Sequence, residues 1–539
     1  MLREEPGLRF GKDFPHCLSQ QFRGRSVEQF GLGGDDLQVA AFSIHDQDEI
    51  ADAREKGAKP RLGLPPGGRP SPEELGYGFK DLGLVTKQLY LSLNFIRETV
   101  SADLPFASNN WIVNGKMSAT GTALFANDSH MLRMQPSMYY LTHVKGGEVD
   151  SFGVAFPGTP FHALGHSRHV SWGATTSIAD AQDMFVEKLD PARPDSYLYK
   201  GEWKKFTVRK ETIIVRGAPD REVTIRQTVH GPIISDFLPL PPGSPAMSLR
   251  WVAWDFSRDP KMFELLVSSA TVDEFMAKMK AEANPPSLMN IAMSMDRLMK
   301  GKSIDDFFAA MDVLDMPNMN WGAADSSGHI AYMAGGLVPV RGKGIGAMPS
   351  PGWTGEYDWT GFIPTQELPQ LLDPDRGFIV NANNEVVDAE WYPYLFSINY
   401  DGGWRALRIQ QLVQKLAPLD MADMKTIQND IHVIKAEIEL PIIFAAVEKV
   451  KPTDPETALA VKLLKEWDLQ ASVDSIATGV FFNYVEQMRR NTFVDELGEE
   501  DFWTYMHESH ADIVVEQLMK KGGSFLFDDV RTPQKETMD

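Results

Sequence analysis

A single cysteine, Cys17, is the whole thiol complement of the 539-residue chain. Intrachain disulfides are therefore impossible, and a multi-cysteine zinc site is excluded. No apolar run approaches the ~18 residues that a transmembrane helix needs. The opening MLREEPGLRFGKDFPH lacks a basic stretch followed by an apolar one, so it does not read as a signal peptide. Positive charge is scarce: 53 Lys and Arg stand against 74 Asp and Glu, a net charge of −21. Such a surface repels phosphate backbones and anionic lipid, so neither nucleic acid nor a membrane surface is an expected partner. Internal repeats and low-complexity tracts are also missing. What remains, 43% hydrophobic and 24% charged residues, is the ratio of a globular protein with a sizeable core. The length suits about two to four ordinary domains or one large assembly.

Several familiar chemistries fail on spacing. GHSRH at 165–169 has the look of a nucleophile elbow but lacks the second Gly that the strained turn requires. MHESH at 506–510 places His507 and His510 three apart where a zinc helix needs four, which leaves an exposed histidine pair. RGKGIGAMPSPG at 341–352 has glycines at the wrong spacing for a phosphate loop and reads as a flexible surface loop. In IHDQDEIADA, Ile50 and Ala51 sit where a calcium loop needs an oxygen ligand and a Gly, so the acids read as a solvated face.

Periodicity then sets the order of elements. Residues 1–72 are weakly patterned, and Leu82, Val85, Leu89, Leu93 and Ile96 predict an amphipathic helix over 73–100. Short β-rich runs fill 108–235, among them a hairpin of FTVRKETIIV and EVTIRQTV around RGAPDR. Helical character returns over 261–316. Further strands follow over 317–384, with a hairpin through DSSG. From Trp404 the period is helical again, over 404–416, 421–429, 434–450, 455–468, 476–490 and 510–521. Strands followed by helices predict an α+β layered architecture rather than a βαβ repeat.

Ser108, in ASNNWIVNG, poses the chemical question. A serine hydroxyl is a poor nucleophile until a base takes its proton, and no His or Asp lies beside it in sequence. If the Ala107–Ser108 bond is cut, the freed α-amine, with an unperturbed pKa of about 8, can be that base. On its own the residue reads as a plain polar serine, as most serines are.

The surrounding motifs decide between the two. SNNW at 108–111, GTALFANDSH at 121–130, FPGTPFHALGHSRHVSWGATT at 156–176, HGPII at 230–234, RGFIVNANNEVV at 376–387 and WRALRIQQLV at 404–413 resemble, in order and spacing, the penicillin acylase family of N-terminal-nucleophile hydrolases. The resemblance covers about 73–535. It implies a four-layer αββα core with an additional helical region. It also implies an amide hydrolase that exposes Ser108 by self-cleavage, works through an acyl-enzyme on a small-molecule amide, and keeps its cleaved chains together as a heterodimer. Position by position it makes Ser108 the nucleophile and amine base, and His130 a polar residue holding the amine. Thr176 becomes a backbone oxyanion donor, Asn383 a side-chain oxyanion donor, and Arg405 the residue that orients the site. Met131 and Leu164 fall at substrate-facing positions, which suits an apolar acyl group. SIADAQDMF resembles the family's calcium loop, so Asp180 and Asp183 would give carboxylate oxygens and Gln182 a carbonyl, with Asp81 a possible ligand upstream. No organic cofactor is expected.

On this resemblance, 1–107 is a partial first-subunit-like segment and 108–539 a catalytic region shortened at its C-terminus. The chain thus reads as truncated at both ends. Family members are usually exported, yet no signal is visible here. Two other readings stay open at this point: a non-catalytic remnant or binding scaffold of the same family, and a calcium-dependent binding module.

Overall fold

A computed structural model describes residues 107–131, 135–238, 240–254, 287–388, 392–398, 400–508, 511–522, 524–528 and 531. The expected helix 73–100, the first-subunit-like segment up to 106, Cys17, Asp81, the IHDQDEIADA stretch, the span 261–286 and His510 lie outside the described residues.

Two antiparallel sheets form the centre. The smaller runs Leu124–His130, Ala107–Val113, Phe378–Asn381, with the strand that carries Ser108 in the middle. The larger has seven strands in the order Gln370–Leu372, Ile330–Gly335, Met319–Asp325, Val170–Thr176, Leu164–His166, Val149–Ala155, Tyr140–Gly146. Side chains alternate along a strand, so Ala107–Val113 serves two layers at once. Ile112 packs with Trp172, Trp321 and the apolar faces of helices Ser287–Lys300 and Ile304–Met311. Trp111 and Val113 point the other way, into a second core with Ile409, Leu412 and Val413 of helix Trp404–Leu416 and Met424 of Met421–Gln428. The result is helix, sheet, sheet, helix.

The two sheets meet closely at one seat. Gly173 and Gly322 are cross-strand partners in the seven-stranded sheet. A Cβ on Gly173 would stand 2.3 Å from the Asn127 side-chain oxygen and 2.8 Å from the Phe125 ring, both on the facing sheet. On Gly322 it would meet Ile112 at 2.9 Å. Only residues without a side chain allow that approach.

Local signals explain the helical region. Asp420 accepts hydrogen bonds from Ala422 and Asp423 as the cap of Met421–Gln428, and Asp454 caps Pro455–Lys465 with Pro at its first turn. The helices expected at 404–416 and 434–450 are Trp404–Leu416 and Ile434–Val450. The last long segment differs: the structure continues from Ile476 to Glu508, with a non-helical Gly498 breaking it, where the sequence pattern stops at 490. Among the described residues no helix is long and apolar enough to cross a membrane.

Replacing Gly173 by Ala is expected to destabilise the fold by about 1–3 kcal/mol, the usual cost of overpacking. Chemical denaturation measures it; an unchanged midpoint would contradict the close seating of the sheets.

Candidate active site

Ser108 is the second residue of its strand, 5% exposed, with Ser129 opposite it. Its backbone N–H donates to the Asn383 side-chain oxygen at 2.8 Å across 275 residues of sequence. Its hydroxyl donates to the carbonyl of Ala107 at 2.6 Å. Arg405 closes the arrangement. One terminal nitrogen donates to the Ser108 carbonyl at 2.9 Å and to the Asn109 side chain at 2.7 Å. The other donates to the Asn383 oxygen at 3.0 Å and pairs with Asp401 at 3.1 Å.

Asn383 is held from every side. Its Nδ2 donates to the Thr176 carbonyl at 2.8 Å, and its backbone N–H donates to the Asn381 side-chain oxygen at 3.1 Å. Its φ of 63° is left-handed, a conformation Asn tolerates better than most residues and one that clusters at functional positions. Beneath it lies a buried amide network. Asn381 also accepts from Thr175 and, at 3.1 Å, from Asn320; Asn320 accepts from the Tyr332 hydroxyl at 2.6 Å. Buried polar groups that are all paired fix one geometry.

Arg405 lies in the first turn of its helix, and that turn is pinned to the far helical region. Trp404 Nε1 donates to Glu516 at 2.9 Å, and the ammonium of Lys435 stacks 4.5 Å from the Trp404 ring. Glu516, 2% exposed, is also paired with Lys520 at 2.6 Å.

Ser108, Thr176, Asn383 and Arg405 are thus gathered at one place, by contacts that join the starts or ends of four elements. His130 stands opposite Ala107 on the neighbouring strand, but its ring meets Asp128 at 3.1 Å and the Asn109 amide at 3.4 Å, while the Ser108 N–H is taken by Asn383. The hydrogen bond from His130 leads the causes that hold the Asp128 carboxyl below its ordinary value. Leu164 packs against the large core, and Met131 is half-buried just past its strand. Sequence reasoning missed Asp401, Asn109 and the Asn320–Asn381–Thr175 network. Asp401 carries a usable signal, an acid four residues before an arginine at a helix start. Ser167 of GHSRH is a turn serine: its Oγ donates to the Gly301 carbonyl at 3.0 Å and accepts from His169 and Val170.

The RGKGIGAMPSPG segment is not the surface loop its composition predicts. It opens on Arg341, 5% exposed, which reaches Asp183 through Nε at 2.8 Å and Asp180 through a terminal nitrogen at 3.1 Å. Burial pushes the Asp180 carboxyl up to about 7, against the pull of Arg341, and pushes Asp183 up as well. Gln182, exposed, begins the strand Gln182–Glu187 and faces Trp251 in the ladder.

HGPII places His230 between two carboxylates: Nδ1 is 2.9 Å from Glu187 and Nε2 3.1 Å from Asp358, with the ring stacked on Phe185. Burial works against the imidazolium, but Asp358 and Glu187 outweigh it, so its pKa lies above the usual histidine value. Burial also opposes the Asp358 carboxylate, yet His230, Tyr199 and Lys200 bring it down to about 2.

The comparisons with known proteins agree on kinship. The family described as penicillin amidase matches residues 29–539. The acyl-homoserine lactone acylase QuiP of Pseudomonas aeruginosa is 28% identical over 457 residues, 80% of this chain and 50% of that protein. The penicillin G acylase of Escherichia coli is 28% identical over 377 residues, 68% of this chain and 39% of its own length. The chain therefore spans about half or less of these relatives. Among solved structures, the thermostable penicillin G acylase from Alcaligenes faecalis superposes with a TM-score of 0.57 at 21% identity, covering 74% of this chain and 67% of that one, and it shares the fold.

Because the His230 pKa is raised on folding, its contribution to stability is complete below about pH 6.5 and is lost as pH rises through the higher folded value. Melting curves of the wild type and His230→Gln across this range should converge as pH rises. A difference that grows with pH would contradict the assignment.

Proposed function

The chain belongs to the penicillin amidase family, and from that premise we propose that it is an amide hydrolase whose nucleophile is Ser108. The observation that carries the reading is the contact of the Ser108 nitrogen with Asn383, with Arg405 bracing both. Nothing in the spacing of a structural serine calls for such a site.

The first step acts on the chain itself. The Ser108 hydroxyl rests against the Ala107 carbonyl. Its oxygen attacks the carbonyl carbon, the peptide C–N bond breaks, and the acyl group moves to Oγ as the nitrogen takes up the proton. Water then hydrolyses the ester, leaving a carboxylate on Ala107 and a free amine on Ser108. The two chains stay associated as a heterodimer.

That amine serves as the general base for the second reaction. The Asn383 oxygen, already bonded to this nitrogen, keeps the amine oriented toward Oγ. Oγ adds to the substrate amide, and negative charge builds on the former carbonyl oxygen. Asn383 Nδ2 spends one hydrogen on Thr176 and has a second to offer that oxyanion, and the Thr176 backbone N–H is assigned as the other donor. The amine leaves with the proton, and water releases the acid from the acyl-enzyme. His130 lies on the strand beside the cut, its ring 3.4 Å from the Asn109 amide. Met131 and Leu164 are assigned to an apolar acyl group. The substrate in this reading is a linear amide of a small molecule, which the relatives' names, acyl-homoserine lactone acylase and penicillin G acylase, support.

Intact-mass measurement is the direct test. Wild-type protein should yield a fragment beginning at Ser108, and Ser108→Ala should remain uncut; identical spectra for the two would overturn the reading. Given processing, Asn383→Ala should lower kcat on a chromogenic acyl amide about a hundredfold or more. A loss confined to KM would remove Asn383 from the oxyanion role.

A further inference from the structure

We infer that the guanidinium of Arg341 is the built-in counter-charge of the Asp180–Asp183 pair and stands in place of the divalent cation that sequence resemblance assigns there. The donor set does not fit calcium. That ion asks for six to eight oxygens at about 2.3–2.6 Å. Here Asp183 Oδ2 accepts from Arg341 Nε at 2.8 Å and from the Trp359 indole N–H. The Asp180 carboxylate lies 3.1 Å from the Arg341 terminal nitrogen, which also donates to the Asp180 carbonyl at 3.2 Å. One arginine thus hydrogen-bonds a carboxylate oxygen of Asp183 and the backbone oxygen of Asp180, and pairs by charge with the Asp180 carboxylate.

Two buried carboxylate oxygens make no hydrogen bond: Asp180 Oδ2, which faces Arg341 across the ion pair, and Asp183 Oδ1. The backbone of Gly346 closes the space beside Asp183 Oδ1. A Cβ at Gly346 would fall 2.3 Å from that oxygen and 2.9 Å from Arg341 Nε, so the turn fits only because residue 346 is glycine, with a φ of +71°. Nearby, Arg250 stacks 4.4 Å from the Trp359 ring centre and adds a second positive charge to the field at Asp183. One guanidinium contacts both aspartates and a second lies close to Asp183. A divalent ion brought next to them meets like charge at close range in a buried setting, where Coulomb terms are strong. Among the described residues no group of three or more His, Cys, Asp or Glu side chains is placed to share a metal ion.

The role follows from position. Arg341 ties the turn after strand Val170–Thr176, which carries Thr176 at its end, to the segment leading into Ser350–Pro351. A fixed side chain does this at any metal concentration.

Terbium luminescence tests the inference on the full chain, since the Trp359 indole touches Asp183 and can sensitise a lanthanide bound there. Wild-type protein should show no sensitised emission that Asp183→Asn or Trp359→Phe removes, and its Tm should be the same with chelator and with calcium. Arg341→Ser should lose stability and gain both a terbium signal and a Tm that climbs with calcium by mass action. If Arg341→Ser fails to fold, Arg341→Lys supplies the second reading. It should keep a charge at the pair and remain indifferent to calcium. Sensitised emission from the wild type that Asp183→Asn abolishes, or a wild-type Tm that falls in chelator and is restored by calcium in an Asp183-dependent way, overturns the proposal. Neither readout depends on amide hydrolysis, so failure here is distinct from failure of the Ser108 chemistry.

Discussion

The side-chain amide of Asn383 is the contact on which the site depends. Its oxygen accepts the Ser108 N–H, its nitrogen donates to the Thr176 carbonyl, and its own backbone is held by Asn381. Three distant segments of chain therefore share one buried, 2%-exposed group. Breaking one of these bonds leaves a buried donor or acceptor unpaired, which costs about 1–3 kcal/mol, well above the net worth of a hydrogen bond made in water. The left-handed backbone at 383 raises the stakes, because such a conformation persists only where its surroundings over-determine it.

The layers make that contact possible. Strand Ala107–Val113 is central in the small sheet, so from Asn110 to Val113 its backbone is paired on both sides before any side chain is considered. The glycine pair at 173 and 322 lets the seven-stranded sheet approach closely enough for Thr176 and Asn320 to join the amide network. Helix Trp404–Leu416 covers the other face, and the Trp404–Glu516 bond sets where its first turn, and so Arg405, stands. Sheet, sheet and helix each bring one group, and no single element contains the site.

Much of this fold was legible in the residues, and the limits are physical. Helix 404–416 announces itself by its apolar stripe, and Met421–Gln428 and Pro455–Lys465 by their Asp caps, because both signals are local. The helical turn past 490 did not, because the residues beyond it are mostly polar and only tertiary packing, with Phe493 and Phe502 in one core, holds them. The site was readable as a set of motifs but not as a geometry: a bond spanning 275 residues leaves no periodic trace. Asp401 escaped for a related reason. An acid before a helix is common, and its meaning here comes only from the arginine it holds.

RGKGIGAMPSPG shows where composition misleads. Glycine in such density reads as solvent-facing chain, because flexible polar segments cannot normally repay burial. The reading fails along the segment, where no residue is exposed, and Arg341 shows why. Arg341 meets two carboxylates that are themselves buried, and a charge whose counter-charge waits inside has a reason to enter that its own sequence neighbours cannot reveal. The glycines then take on a different meaning: at 346 the absence of a side chain is what admits the loop against Asp183. In the reading proposed for Arg341, the same logic separates the two aspartates from a metal site. Carboxylates at the right spacing specify only that a cation is wanted, and which cation is decided by the loop that folds over them some 160 residues later in the chain.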